Sequence, residues 1–347
     1  MLIIDRAEFP RYKTCGGGLV GVSRSIIPDS VRETIEVDIS EVIFTLRGKD
    51  PVRVSRRDPF LGMTRRDTFD NALLHEAIRA GAAFIGELAL KRVMEQQPGL
   101  VTLETSRGSL VSRAVVGADG TSGRTGRYVG VTAERVDLGL EEEVEVADPS
   151  RRSVVRLDWG PGPGSYGWVF PKRTVDTIGV IETKGNADRT RTYLEGWVDQ
   201  QPTRDAPKER STGHLTQWRT SDSPLRRGSV VVAGDAAGLL EPWTREGISF
   251  ALRSGVLAGR AAAHATVGED RTALDLYAVT VEKELQPEIR VGAILLSVFE
   301  KRPELVHWLL KRSRRARNYF VEFCTGETSL GDLERHRWFI RAIRKLA

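Results

Sequence analysis

The chain has little of what marks many functional classes. Its 347 residues hold two cysteines, Cys15 and Cys324, too few for a disulfide framework, so a reducing cytoplasm is the default compartment. No apolar run is long enough to span a bilayer, and the first residues do not read as a signal peptide. Five histidines (75, 214, 264, 307 and 336) are scattered without metal-site spacing. Neither Gly-x-Ser-x-Gly nor Ser-x-x-Lys is present to suggest a serine nucleophile. There is no helix-turn-helix, zinc-finger or RNA-recognition signature, which argues against a nucleic-acid partner. Internal repeats and low-complexity linkers are also missing. The formal net charge is +5 and 29% of residues are charged, ordinary for a soluble protein. The 40% that are hydrophobic suffice for a core.

What is present concentrates in short segments. The run Val230-Val-Val-Ala-Gly-Asp-Ala-Ala-Gly238 reads as a buried strand whose end delivers the Asp235 carboxylate. It is followed by Glu241-Pro-Trp-Thr-Arg-Glu-Gly247-Ile248, a helix start at a glycine, where backbone N–H groups can approach an oxygen or an anion. Upstream stand Phe9-Pro-Arg-Tyr-Lys-Thr-Cys15-Gly-Gly-Gly18, Arg66-Asp-Thr-Phe69-Asp70, Val116-Gly-Ala-Asp119-Gly120 and Tyr166-Gly-Trp168-Val-Phe170-Pro171-Lys172. Tyr166, Trp168 and Phe170 alternate, so they share one face of a strand. An aromatic face suits a flat or isoprenoid ligand.

In this order, the five segments resemble the motifs of the geranylgeranyl reductase family, FAD-dependent oxidoreductases of the aromatic-hydroxylase-like superfamily. The resemblance is strong over roughly residues 1–260 and weak beyond. It implies an α/β fold: a Rossmann-like FAD-binding domain, an inserted antiparallel sheet that carries the substrate side, and a helical C-terminus. It implies that Asp5, Cys15, Gly16, Gly17, Gly18, Arg66, Asp119, Gly234, Asp235, Gly247 and Ile248 contact FAD. Tyr166, Trp168, Phe170 and Pro171 would line the substrate. The implied reaction saturates carbon–carbon double bonds of a prenyl chain, in a prenyl lipid or another hydrophobic substrate. A nicotinamide or small electron carrier would be the donor. No metal is implied, and no proton donor can be named.

Two departures from the family pattern stand out. The chain does not open with the strand, Gly-x-Gly-x-x-Gly turn and helix of a dinucleotide fold. Met1-Leu-Ile-Ile-Asp5 instead reads as the family's second strand, with Asp5 for the adenosine ribose, so a unit of roughly 30 residues is expected to be missing. The start may be misplaced or the gene shortened; both explanations stay open. The second departure is at two positions: Gly123 stands where relatives usually have Ser, and Arg245 where they often have Gly. A cation at 245 would stabilise an anionic reduced flavin, bind an anionic headgroup, or block the site.

The pattern predicts a strand over 1–5, a glycine-crowded loop over 6–18 and a short helix over 19–27. A hairpin follows at 42–46 and 52–55, then a helix from Asp67 to Ala80 with Gly81 beyond its end. A meander over 88–118, antiparallel strands over 134–183, a helix over 189–200 and a strand over 229–233 come next. The chain is helical from Glu246. The expected domains are 1–133 with 225–290 for FAD, 134–224 for the insert, and 291–347 as a basic helical region. From Lys301 onward there are 12 Lys/Arg against 5 Asp/Glu. There Trp338, Ile340, Ile343 and Leu346 fit one helical face. That helix either packs on the body or lies on an anionic membrane surface.

Blander readings accompany each site. Asp235 could cap the next helix, Asp119-Gly120 could be a tight turn, Arg66 could be solvated, and the aromatic trio could be core. Two other functions compete with the reductase: a flavin-dependent monooxygenase or halogenase acting on a small molecule, and a non-catalytic prenyl-lipid-binding remnant that has lost stable FAD binding.

Overall fold

The computed structural model describes residues 1–146, 148, 154–267 and 270–347. The chain adopts the expected α/β class, in two compact units. The first comprises 1–11, 70–135 and 217–290; the second comprises 12–69, 136–216 and 291–347. The segments 12–69 and 291–347, which the sequence pattern places elsewhere, therefore cluster with the insert.

In the first unit, Leu2–Ile4 pairs in parallel with Ala83–Ile85, and Val115–Gly117 pairs in parallel with Val230–Val232. The three valines at 230–232 are fully buried. An apolar run with no polar alternation is the mark of a strand covered on both faces. Tyr277, on the helix Thr272–Glu284, donates its buried hydroxyl to the Val232 carbonyl at 2.6 Å. The expected meander is an antiparallel sheet of Leu90–Gln97, Leu100–Thr105 and Gly108–Ser112.

The second unit is built on a seven-stranded sheet in the order Lys208–Arg219, Ala133–Glu145, Val175–Thr183, Tyr166–Pro171, Val154–Trp159, Glu41–Leu46 and Lys49–Ser55. The segment expected to be purely antiparallel thus recruits the early hairpin, through a parallel pairing of Val154–Trp159 with Glu41–Leu46. The sheet's two faces follow from strand alternation. On one face Val144, Val169, Ile178 and Val180 pack with Leu194, Trp197 and Val198 of the helix Ala187–Val198. Asn186 caps that helix by accepting from the N–H groups of Asp188 and Arg189. Each fully buried apolar side chain in such a cluster contributes about 1.5–3 kcal/mol. On the other face Phe44 stacks with Trp159 at 5.2 Å and meets Phe320 at 4.9 Å, while Trp159 meets Phe299 at 4.9 Å. The rest of that face carries the residues discussed below.

Differences from the predicted elements are local. The short helix expected over 19–27 is confined to Ser23–Ile26, because Gly18–Leu19 forms a strand and Gly21 takes φ +61°, which no right-handed helix accommodates. Ile340 and Ile343 of the last helix are buried, and Ile340 packs with Val291 and Leu330. This fits a helix packed on the body; Leu346 is more exposed, and Trp338 lies outside the described side chains. Among the described residues, no helix is long and apolar enough to cross a membrane.

Candidate functional site

In the first unit the strand Val230–Val232 ends at Gly234, whose φ of +54° lets the chain turn sharply into the 3-10 helix Gly234–Ala237. The Gly234 N–H donates to Ser254 Oγ at 2.9 Å, tying this turn to the helix Ile248–Val267. Asp235 is half-buried among fully buried neighbours. Its Oδ1 lies 3.3 Å from where a Cβ on Gly247 would stand. A partly accessible carboxylate therefore sits beside the positive end of a 20-residue helix. Ile248 is the first residue of that helix. Glu246 caps it by accepting from Ser249 N at 2.7 Å and Ser249 Oγ at 2.6 Å.

Arg245 adopts φ +57°, the left-handed region that glycine occupies without strain. Its guanidinium is buried and Nη1 donates to the Trp243 carbonyl at 2.8 Å. The cation is thus held within its own turn.

The other first-unit residues are more committed. Asp5 accepts from Ala7 N at 2.9 Å and from Arg11 Nε at 3.2 Å, and Arg11 also reaches Asp70 at 3.1 Å. Asp119 accepts from the Thr125 N–H at 3.0 Å and from the Thr125 hydroxyl. It thereby caps the helix Arg124–Val129. A Cβ at Gly123 would collide with that carboxylate. Glycine at 123 is what lets Asp119 fold onto its own helix.

In the second unit the glycines of Cys15–Gly18 are accounted for by the protein itself. A Cβ on Gly16 would lie 2.5 Å from Phe170 Cδ2 and 3.3 Å from Trp168 Nε1. Gly17 takes φ +72° against the Thr64 carbonyl, and Gly18 pairs with Met63. Cys15 and Cys324 are both free thiols; burial pushes the Cys324 thiol up, which makes it inert. Cys15 Sγ accepts from the Gly17 N–H at 3.4 Å. Arg66 is half-buried at the first position of the helix Arg66–Arg79.

Tyr166, Trp168 and Phe170 share one sheet face as their alternation requires, with ring centroids 5.9 and 6.1 Å apart. Tyr166 and Phe170 are half-exposed; Trp168 is 8% exposed. The Trp168 ring lies flat across Gly179, its partner in the neighbouring strand. Pro171 is buried at the strand's end.

Two functional groups escaped the sequence reading. Glu141 is 2% exposed and Lys172 1% exposed. Glu141 lies opposite Gly179 in the register, on the same face as Trp168. Its Oε1 accepts from Cys15 N at 2.8 Å and from the Tyr12 hydroxyl at 3.2 Å. Burial dominates its environment and pushes its pKa up to about 7, against the pull of Lys172, Cys15 N–H and Tyr12. Lys172 Nζ donates to the Gly16 carbonyl and to Thr177 Oγ1, both at 2.7 Å, and burial lowers its pKa. The signal that could have found Glu141 is parity. In Leu138-Gly-Leu-Glu-Glu-Glu-Val144 the leucines and Val144 occupy even positions, which sends Glu141 to the opposite face with Gly139.

No protein-family model matches the chain. It is similar to a digeranylgeranylglycerophospholipid reductase of Methanosphaera stadtmanae, 30% identical over 224 residues that cover 59% of this chain and 55% of the relative. A chloroplastic geranylgeranyl diphosphate reductase of Nicotiana tabacum is 26% identical over 296 residues, 77% of this chain and 60% of the relative. The chain therefore spans 55–60% of the length of these two curated relatives. The crystal structure of a geranylgeranyl bacteriochlorophyll reductase-like protein from Thermoplasma acidophilum superposes with a TM-score of 0.80 at 18% identity, covering 100% of this chain and 92% of that one. A flavin-dependent brominase shares the fold with a TM-score of 0.72 at 17% identity, covering 99% of this chain and 92% of that one. In sequence the chain is similar to prenyl reductases, and it shares its fold with the Thermoplasma protein and the brominase.

Proposed function

We propose that the chain reduces carbon–carbon double bonds of a prenyl chain, with FAD as its redox cofactor. The observation that carries this reading is the sheet face of the second unit, where half-exposed aromatic rings adjoin a buried carboxyl group. An apolar, aromatic surface with one convergent acid suits an isoprenoid alkene. It gives little to hold a polar substrate. The similarity to two prenyl reductases supports the same reading.

The first unit fits the cofactor in part. A half-buried carboxylate beside a helix N-terminus, at Asp235, Gly247 and Ile248, supplies an acceptor for polyol hydroxyls and donors for a ring carbonyl. Asp5 shares its oxygens with Arg11 and Ala7 but keeps acceptor capacity for a ribose. Asp119 is committed to Thr125, so we leave it out of the cofactor set. When bound, reduced FAD supplies the hydride. The protein's own part is to hold the alkene against Tyr166, Trp168 and Phe170, exclude water there, and provide the one proton that complements the hydride. A nicotinamide or a small electron carrier serves as donor in this reading.

The test is flavin content followed by turnover. The purified chain is denatured and released FAD quantified per polypeptide; the loaded chain is then reduced and offered a geranylgeranyl substrate without oxygen. Near-stoichiometric FAD and a saturated product support the proposal. An oxygenated or halogenated product in air would replace it with the monooxygenase or halogenase reading. Prenyl-lipid binding without flavin would favour a non-catalytic binder.

A further inference from the structure

The two hydrogen bonds on one oxygen of Glu141 have a chemical consequence. Oε1 accepts from Cys15 N and from the Tyr12 hydroxyl. Both donors converge on Oε1, so whenever the carboxyl holds a proton, that proton sits on Oε2. Oε2 makes no hydrogen bond among the described residues. The nearest ammonium does not neutralise the group directly, since Lys172 commits Nζ to Gly16 O and Thr177 Oγ1. The carboxyl stands on the aromatic face, one strand from Trp168 across a glycine. Behind it Tyr12 is half-buried, pairs with Thr212 Oγ1 at 3.1 Å and lies under the Arg210 guanidinium at 3.9 Å. This gives the buried acid a route toward the polar rim.

We propose that Glu141 is the catalytic acid of the alkene reduction, delivering its Oε2 proton to the carbon that does not receive the hydride, and that Tyr12 is the residue through which it is reprotonated. The inference rests on the proposed prenyl reduction. In the step one O–H bond breaks and one C–H bond forms, leaving Glu141 as a carboxylate. The hydride and its electron pair come from the reduced flavin, which is oxidised as the alkene is reduced. The carboxylate then recovers a proton on Oε1 from the Tyr12 hydroxyl, which takes one from water in turn, and rotation of the carboxyl returns the proton to the Oε2 position. Burial holds Glu141 protonated up to about pH 7. Lys172, Tyr12 and Glu143 are the ionisable groups that act on it most directly, together with the Cys15 backbone N–H. Arg65 and Arg210 bear on Glu143.

The test uses the full chain with FAD, Glu141→Gln, which keeps the shape and the Oε1 acceptor but has no acidic proton, and Tyr12→Phe. Three readouts separate the outcomes. Infrared or carboxyl-labelled NMR titration of the ligand-free chain is expected to show buried carboxyls titrating near neutrality, Glu141 and Glu246 among them, with one such signal lost in Glu141→Gln. The flavin spectrum and its anaerobic reduction by dithionite are expected to match the parent in both variants. Single-turnover saturation of a prenyl alkene is expected to fall about 100-fold or more in Glu141→Gln. In Tyr12→Phe the first turnover is expected to persist while steady-state turnover falls. Saturation by Glu141→Gln within about threefold of the parent, or no loss of a neutral-range carboxyl signal in that variant, overturns the assignment. If the flavin-loaded parent itself saturates nothing, the prenyl-reductase reading fails and the assignment falls with it. That is a distinct result, seen in the parent before any variant is compared.

Discussion

Trp168 has its place because Gly179 has no side chain, and Gly179→Ala tests this. A Cβ at 179 would stand 2.8 Å from Trp168 Cη2 and closer still to Cζ2 and Cε2. The ring has no free direction in which to retreat. Gly139 lies beneath its far edge, with a Cβ position 4.0 Å from Cη2, and the Gly16 segment lies against Nε1. Phe170 and Tyr166 flank it. Overpacking a confined site costs about 1–3 kcal/mol, and this geometry belongs at the upper end. The gain from replacing a strand glycine by alanine offsets about 0.5–1 kcal/mol. The expected net loss is about 2 kcal/mol, or a fall in Tm of about 3 °C for a chain of this size. Thermal and urea melts followed by circular dichroism measure it, at fixed pH and protein concentration. The decisive comparison is a double-mutant cycle with Trp168→Leu. Without the indole the added methyl meets nothing, so Gly179→Ala should be neutral or slightly stabilising there, with a coupling of about 2–3 kcal/mol. A Tm within about 1 °C of the parent, or an equal fall in both backgrounds, would refute the reasoning.

Other expectations follow from single contacts. Glu141 titrates at about 7 in the folded chain against an ordinary 4.5, so folding takes up a proton between those values. Its contribution, about 3 kcal/mol at most, is fully present below pH 4.5 and lost as pH rises through 7. Glu246 is pushed up similarly, so the Glu141 part is the difference between parent and Glu141→Gln in melts at pH 5 and pH 8. The parent should lose more stability over that interval; parallel losses would contradict the burial argument. Asn186→Ala removes the acceptor for the N–H groups of Asp188 and Arg189 and should lower stability by about 1 kcal/mol in urea melts. Asp235→Asn should leave the circular dichroism unchanged while weakening FAD retention roughly 10–100-fold by equilibrium titration. Retention equal to the parent would remove Asp235 from the cofactor set.

The segments readable in advance were those whose physics is local. Val230 to Asp235 declares a buried strand and a turn within a few residues, and Gly81 takes φ +94° just beyond a helix that its own pattern ends. The glycines at 16–18 were readable as close approach, but not what approaches. Phe170 and Thr64 take those places, and their distance along the chain hides this. Glu141 to Glu143 looks like a solvated charge run until strand parity is applied. Lys172, after Pro171, looks like an exposed turn residue, yet the Gly16 carbonyl and Thr177 enclose it. The parallel pairing of Val154–Trp159 with Glu41–Leu46 links residues more than a hundred positions apart. No periodicity within either strand announces such a pairing.

Arg245 holds a left-handed backbone that glycine would occupy without its cost of about 1 kcal/mol. Selection for heat resistance alone would favour glycine over this side chain wherever that backbone cost exceeds its Nη1 bond to the Trp243 carbonyl. Its retention is a stake the chain holds against its own thermodynamics, beside the helix that begins at Ile248. A library of this chain selected only for survival on heating would show Gly at 245 ahead of most other changes. Whatever those survivors lose in turnover or in anion affinity is the work the guanidinium performs.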